Sequence, residues 1–541
     1  AQSQNSKLYV NPYIKITPFK NFTWESRVNG TLTYSRSNSF QGQGSYNFIK
    51  AGGNVLTDTK ASVSESRSYS YKWENILTYQ FNIAKDHEFT VTGVTSWNHN
   101  RNDNVLSSGT GILNNSYLWY NLANAYQKSG SSSYTMSKGF GLIGRINYSY
   151  LGRYLASVSV RHDGSSRLAD GHKWATYPAF ALGWRISDEK FMESTRSWLD
   201  NLKLRLGYGE TGSTSIINPY SSVTNLEQGY LTLGGEKITT YGYSNTVANP
   251  LLTWERSKNW NVGLDAAVLN GRIEMVLDLY NTNTEGVIWN KLLPVTLGAY
   301  NVSTQFNTNV NLAKTNNKGV EFSLNTRNII TKDFTWNSTL TFSYNKEKIT
   351  KLTGTANEKV IKDDRVYAVG SPVNAYYHYK LNGIWQKDQE ADAACFGQKP
   401  GSFNIDVPGL TRHQDADGSV YYTKNVDGEE KVYNAANPYE ISSADMQVIG
   451  HNSPDWSLGF QNNFKYKNFD LSIYMYMRWG QMIKYSLLTD YDPTGVNNYP
   501  TYFNVWSETN PSNDFPAMNA SITDKLSYYN GFAARAYVDG S

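Results

Sequence analysis

Segments in which apolar and polar side chains alternate run along this chain, joined by short polar turns at one end and by long stretches at the other. Over residues 334–344, Phe334, Trp336, Leu340, Phe342 and Tyr344 fall on one side, interrupted only by Ser338. Thr335, Asn337, Thr339, Thr341 and Ser343 fall on the other. Residues 22–34 and 469–477 repeat the rhythm. A pleated strand points successive side chains to opposite faces, so each run has one apolar and one polar face. A barrel that crosses a membrane needs this pattern, apolar toward lipid and polar toward a lumen.

Tight turns at 20–21, 84–86, 151–153, 270–271, 331–333 and 467–468 are expected to close hairpins. Gly, Asn and Asp suit such turns because they tolerate positive φ. The strands they join are 9–19 with 22–37, 69–82 with 89–97, 140–150 with 154–162, 260–269 with 272–280, 320–328 with 334–345, and 456–466 with 469–480. Residues 187–199 read as a helix between 174–186 and 202–208. Ser187 is placed to cap it, Asp188 and Glu189 suit its start, and Phe191, Met192, Trp198 and Leu199 share a face. Long loops are expected near 38–64, 98–136, 210–253, 282–318, 386–453 and 481–528, where Ser, Asn, Gly and Tyr replace the alternation. Short turns on one rim and long loops on the other are the asymmetry of outer-membrane barrels, turns in the periplasm and loops outside. Residues 1–541 thus read as an all-β, antiparallel transmembrane β-barrel, incomplete, of about sixteen strands, with 187–199 a periplasmic helix.

Soluble sandwiches also alternate, but their strands average about 5–6 residues, whereas roughly 9–11 cross a bilayer. Aromatic residues bracket the apolar stripes: Phe22 and Trp24 with Tyr34, Trp336 with Tyr344, Trp456 with Tyr466. Charges avoid those stripes. Arg145, Lys203, Arg205, Arg272, Glu274, Asp278, Glu321 and Arg327 all take the polar face. Pro178, inside a strand, predicts a bulge or a local break in the ladder.

Composition fits. Only 18% of the 541 residues are charged, against roughly 25% in soluble domains. The net charge of +4 is spread singly along strands, which argues against nucleic-acid binding. The lone cysteine, Cys395, excludes a disulfide framework. No apolar run approaches the roughly 20 residues of a transmembrane helix. The mean hydropathy of −0.54 is no objection, because half of every barrel strand is polar.

Residues 144–187 (GRINYSYLGRYLASVSVRHDGSSRLADGHKWATYPAFALGWRIS) resemble the SusC/RagA-type TonB-dependent transporters of Bacteroidota. Residues 191–212 (FMESTRSWLDNLKLRLGYGETG), 249–263 (NPLLTWERSKNWNVG), 315–324 (TNNKGVEFSL), 369–385 and 448–460 (VIGHNSPDWSLGF) continue the resemblance. It implies a 22-stranded barrel, an N-terminal plug, a TonB-interaction segment and a SusD-like surface lipoprotein that closes as a lid. Nothing here resembles a plug or a TonB-interaction segment, so the chain reads as an interior portion of such a barrel.

The candidate chemistry is binding, not catalysis. Seven His residues fall in no HExxH pattern, no GxSxG is present, and an enzyme is not expected. Trp119, Tyr120, Tyr241, Tyr243, Tyr421, Tyr422 and Trp506 lie in the outer loops, where flat rings with polar tips suit sugars, loop packing or a lid. Arg205, Arg272, Glu274 and Asp278 are candidate lumenal charges, for a solute path or for structural pairs. Arg161 and Asp163 read as a polar network at the base of a loop. Residues 413–419 (HQDADGS) carry Asp415 and Asp417 in the manner of a partial calcium loop, or of a plain Asp/Gly turn. No other cofactor is expected.

The expected function is TonB-dependent import of a bulky nutrient across the outer membrane of a Gram-negative bacterium, with a SusD-like lid and an oligosaccharide as cargo. Import of peptides by the same machinery, a surface scaffold or adhesin, and a passive porin are the alternatives.

Overall fold

The computed structural model describes residues 1–223, 226–243, 246–294, 296, 306–352, 359–489, 501–517 and 534–541. They form two units, Ala1–Ala266 with Thr282–Ala313, and Ala267–Asn281 with Lys314–Ser541.

The first unit is an antiparallel meander. Gln2–Val10 and Tyr13–Ile16 both pair with Phe22–Gln41, interrupted at Pro12, which has no N–H for a ladder. Lys60–Ile83, His87–Thr110, Gln127–Tyr150, Tyr154–Ser165, Trp174–Arg185 and Leu199–Ser213 follow, each paired with the next. The expected turns are where the sequence places them. Leu151 and Gly152 take φ of 55° and 64°, the left-handed pair of a tight turn that the Arg153 N–H closes on the Tyr150 carbonyl at 2.9 Å.

Several expected loops are largely strand. Lys60–Ile83, His87–Thr110 and Gln127–Tyr150 each have 24 residues, far more than the roughly 9–11 that cross a bilayer. Most of 98–136 is therefore ladder, with Asn98 opposite Gly139 and Leu106 opposite Ser131, and the connection is only 111–126. Much of 282–318 is likewise strand, in Ile273–Leu292 and Asn307–Ile330, and so are the two ends of 38–64, in Phe22–Gln41 and Lys60–Ile83. In these extensions Ser, Asn, Gly and Thr predominate, and apolar residues such as Val105, Leu106 and Val287 fall without a sustained alternation. Within 210–253, Leu226–Leu233 and Glu236–Tyr243 form a hairpin.

The helix expected over 187–199 is two 3₁₀ turns instead, Ile186–Asp188 and Lys190–Thr195, and Leu199 already begins a strand. Glu189 separates them in extended conformation. Its carboxylate accepts from Tyr154 Oη at 2.5 Å, Trp184 Nε1 at 3.0 Å and Arg153 at 3.0 Å. The Tyr154 and Trp184 hydrogen bonds, with the Arg153 charge, hold it below the usual carboxylate range. These tertiary bonds override the local helical pattern. Pro178 makes no bulge: it stays in register opposite Val160, while the ladder to Leu199–Ser213 reaches only Ala179. The second ladder thus stops just short of the proline, the local break that is the other expectation there.

The outward face of this unit has two aromatic bands. Toward the short turns, Phe81 stacks on Phe89 at 5.1 Å, and Phe89 lies 4.8 Å from Tyr148. Eight residues along each of those strands, Trp73 stacks on Trp97 at 4.9 Å and Trp97 meets Phe140 edge-on at 5.2 Å. Val91, Ile146 and Val158 lie between the bands, as the apolar belt between two interfacial girdles requires.

In the second unit, residues 314–330 pair with Phe334–Lys351, which pairs with Trp456–Tyr466, and that with Phe469–Trp479. One face is a cross-strand apolar lattice: Phe322, Phe342, Leu458 and Met477 lie in one row, and Leu324, Leu340, Phe460 and Met475 in the next. The Ser338 interruption is completed by a neighbour. Asn462 Oδ1 accepts from Ser338 Oγ at 2.6 Å and from Trp336 Nε1 at 2.9 Å. Paired polar groups are what an apolar surrounding tolerates.

The expected loop 386–453 is a folded lobe. Lys359–Lys362, Arg365–Ala368, Ala375–His378 and Gln447–His451 make one sheet. Lys380–Ile384 pairs with Phe403–Asp406, and Thr411–Gln414, Val420–Val426 and Glu429–Tyr433 make a third sheet. Tyr379, Trp385, Phe396, Ile405 and Ile441 are buried together in its core. Cys395 is buried there, its Sγ directed at the carbonyls of Ala391 and Val420 at 3.4 and 3.3 Å, and burial raises its thiol pKa. Of 481–528, Met482–Lys484 pairs with Tyr537–Asp539, while 490–500 and 518–533 lie outside the described residues. No helix among the described residues is long and apolar enough to cross a membrane.

Candidate binding surfaces of the wall and the outer lobe

The lobe of the second unit holds a cavity of about 440 Å³. Trp385, Phe396 and Tyr422 give it aromatic walls, and Asn382, Gln389 and Asn404 bring amides to it. Asp392 closes one side. It accepts from Arg412 Nε at 2.6 Å and Nη2 at 2.9 Å, and from Tyr422 Oη at 2.7 Å. The Arg412 hydrogen bonds hold its pKa below the usual range, and burial with the neighbouring carboxylate pushes the Tyr422 phenol up. The ion pair is therefore a fixed wall of the cavity.

The polar faces of the sheets form separate hollows. In the first unit one of about 380 Å³ has a floor of small residues, Ser157, Ala181, Gly183 and Gly207, beside Glu88, Lys203 and Arg205. Arg205 is tied down by Asp265, at 3.0 Å from Nε and 2.8 Å from Nη2. A Cβ on Gly263 would stand 2.5 Å from the Arg205 guanidinium carbon, so that glycine makes room for the pair. A second hollow of about 310 Å³ contains Arg161, Asp163 and Arg167. Arg161 Nε donates to Asp163 at 2.5 Å, and Arg167 donates to the carbonyls of Thr214, Ser215 and Ile217 at 3.0–3.1 Å, the polar network expected at this loop base. In the second unit Asp278 and Glu321 line a hollow of about 290 Å³ with Thr341, Ser343 and Tyr476.

The sequence-predicted residues scatter among different roles. Tyr120 and Tyr241 are exposed, at 75% and 69%. Trp119 packs on the small cluster of Ala61, Ile112 and Ala125. Tyr421 stacks on His413 at 5.0 Å, and Tyr422 lines the lobe cavity. Trp506 is core, packed with Ile384, Phe403 and Phe515, its indole N–H on Gln386 at 3.1 Å. The side chain of Tyr243 lies outside the described residues. Arg205 and Asp278 reach the polar hollows. Arg272 does not: it precedes the strand Ile273–Leu292 and donates to the carbonyls of Arg327 and Asn328 at 3.2 and 2.7 Å, tying the end of a hairpin. Glu274, exposed, lies near the same turn.

Asp415 and Asp417 form a turn. Asp417 accepts from the Ser419 N–H at 3.0 Å, and Gly418 takes the left-handed φ of 88°. Among the described residues no three His, Cys, Asp or Glu side chains converge as a metal site.

Trp385, Phe396, Asp392 and Arg412 were not singled out from sequence. They are 20 or more residues apart in part, on strands too short to show a period, and no spacing signals them.

Residues 7–460 match the family described as TonB dependent receptor-like, beta-barrel. The TonB-dependent receptor P26 of Formosa agariphila is 30% identical over 93% of this chain and 48% of its own length. The TonB-dependent receptor SusC of Bacteroides thetaiotaomicron is 30% identical over 64% of this chain and 32% of its own. The chain thus spans half or less of the length of these relatives. Among solved structures, the RagAB peptide transporter is similar in fold, with a TM-score of 0.77 at 22% identity, covering 99% of this chain and 54% of that one.

Proposed function

From the premise that the chain belongs to the TonB dependent receptor-like β-barrel family, we propose that it forms the wall of an active importer in the outer membrane of a Gram-negative bacterium. The cargo is a bulky oligomeric nutrient, an oligosaccharide. A SusD-like lipoprotein closes over the outer side, and TonB supplies force through parts outside this sequence. The observation that carries the cargo reading is the lobe cavity, where three aromatic walls meet three side-chain amides. Rings present flat apolar faces to sugar C–H groups, and amides offer a donor and an acceptor to each hydroxyl. Several weak contacts in a closed chamber raise effective affinity.

The neighbour in fold is named for peptides, and peptide is the second reading of the cargo. It draws on the hollow where Asp278 and Glu321 lie together, an acidic wall suited to cationic side chains. Uptake of labelled oligosaccharides and of labelled peptides by cells with and without the intact gene separates the two. Gene-dependent uptake of oligosaccharide alone supports the first reading, and of peptide alone the second.

A further inference from the structure

Beyond the upper aromatic band, the outward face of the first unit becomes basic. Lys138 follows Phe140 by two positions on the same face, and His99 and Arg101 follow Trp97 by two and four. At about 3.4 Å per residue, Lys138 lies ~7 Å and Arg101 ~14 Å past the band along the strands. Lys138 is opposite His99, Arg101 is opposite Tyr69, and Arg67 is opposite Asp103. Lys138, Arg101 and Arg67 are therefore diagonal neighbours across three strands, a spacing of about 7–8 Å between backbone positions.

The acids do not balance them. Asp103 is engaged by Arg101, at 2.9 Å from Nε and 2.8 Å from Nη2. The next acid outward, Glu65, lies 3.6 Å from Arg36. Among the described residues the side chains of Lys138 and Arg67 have no hydrogen-bond or ion-pair partner, and both are exposed. Rings accompany the cations. His99 stacks between Tyr71 at 5.3 Å and Tyr69 at 5.9 Å, and Arg101 lies 5.2 Å from the Tyr134 ring centroid.

We propose that this patch binds the phosphorylated sugar headgroup of an outer-leaflet glycolipid. Position and chemistry both lead there. An aromatic band marks the edge of the hydrocarbon, so charges just beyond it on the outward face lie in the headgroup layer. Diagonal cations with one carboxylate between them attract an anion and repel each other without one. The tyrosine rings add flat surfaces for the sugar that carries the phosphate. The long hairpins extend from this end, which makes the leaflet the outer one under the transport reading, on which this inference rests. The lipid is a wall contact, separate from the imported cargo.

The test titrates full-length protein, purified from outer membranes in detergent, with diphosphoryl lipid A, dephosphorylated lipid A and phosphatidylglycerol, read by native mass spectrometry. The expected result is at least about fivefold tighter retention of diphosphoryl lipid A than of the other two. Lys138→Gln with Arg67→Gln is expected to abolish that preference. Lys128→Gln, ten positions farther out on the same strand and face, is expected to keep it. The heat-modifiable mobility of the folded barrel on gels should be the same in all variants, which separates loss of the site from loss of the fold. Equal retention of the three lipids by the wild type, or a preference that survives the double substitution, overturns the proposal. Loss of the heat-modifiable band from the wild type would instead remove the membrane-barrel reading beneath it.

Discussion

Arg412 holds Asp392 with two hydrogen bonds, of 2.6 and 2.9 Å, across a lobe whose sequence shows no periodic pattern. Arg412 is about half exposed, at 46%, so the pair is screened on one side and its loss should cost about 1–2 kcal/mol and not the full cost of a buried pair. The folded pKa of Asp392 is depressed. Its contribution is therefore complete well above the unfolded value of about 3.9 and is lost as pH falls through and below it. Limited proteolysis of 375–453 should accelerate below about pH 4 in the wild type. Asp392→Asn should accelerate it at pH 7 and flatten this acid dependence. A lobe equally resistant in the variant at pH 7 would show that the pair contributes little.

A second prediction concerns Asn462, which serves both Trp336 and Ser338 on an apolar face. Asn462→Leu increases apolarity yet strands an indole N–H and leaves the Ser338 hydroxyl with Asn328 as its partner, whose amide donates to it at 2.6 Å. It should lower stability by about 1–3 kcal/mol, the cost of unsatisfied polar groups. Adding Ser338→Ala and Trp336→Phe should restore part of the loss. Urea unfolding in lipid vesicles measures both, and a single substitution that stabilises the barrel would reverse the argument.

The assignment of faces is tested at adjacent positions. Val158 lies between Ile146 and Phe180 on the outward face, and Ser157 lies on the floor of a polar hollow. Val158→Lys should cost about 2–4 kcal/mol in vesicles, and Ser157→Lys much less. Equal costs, or the reverse order, would mean that the faces are exchanged.

Leu151 adopts a left-handed φ of 55°, a conformation that costs most L-residues roughly 1–2 kcal/mol. Leu151→Asn should stabilise the hairpin by up to about 1 kcal/mol, because asparagine tolerates this region. Thermal unfolding monitored by gel mobility would detect the gain, and a lower midpoint would show that the Leu151 side chain contributes more than its backbone costs.

These residues also mark what could be read in the sequence. The stripe of Phe334, Trp336, Leu340 and Phe342 announced a strand because lipid and lumen demand opposite chemistry at every second position. The turns at Leu151 and Asn270 followed from chain reversal between such stripes. Where neither face meets lipid the signal fades: Asn98–Thr110 stays a strand through its backbone ladder, and its Ser and Asn residues read as loop. The lobe was hidden for another reason. Phe403–Asp406 and Thr411–Gln414 are four-residue strands, too short for a period, and Trp385, Phe396 and Ile441 meet only after folding. Residues 187–199 had a helical pattern, but Glu189 is claimed by Tyr154, Trp184 and Arg153. Arg205 lines a polar hollow, and its partner Asp265, sixty positions away, is not visible in any local pattern. At Trp506 the ring packs in a core, the loop-packing alternative that aromatic type alone leaves open.

The central claim is that this wall belongs to an importer driven by the energised inner membrane. The most direct measurement is uptake of a labelled oligosaccharide by cells expressing the full-length protein, before and after a protonophore collapses the proton gradient. The account predicts gene-dependent accumulation that falls to the level of the deletion strain when the gradient is lost. Gene-dependent uptake that continues undiminished without the gradient would contradict it and make the barrel a passive pore.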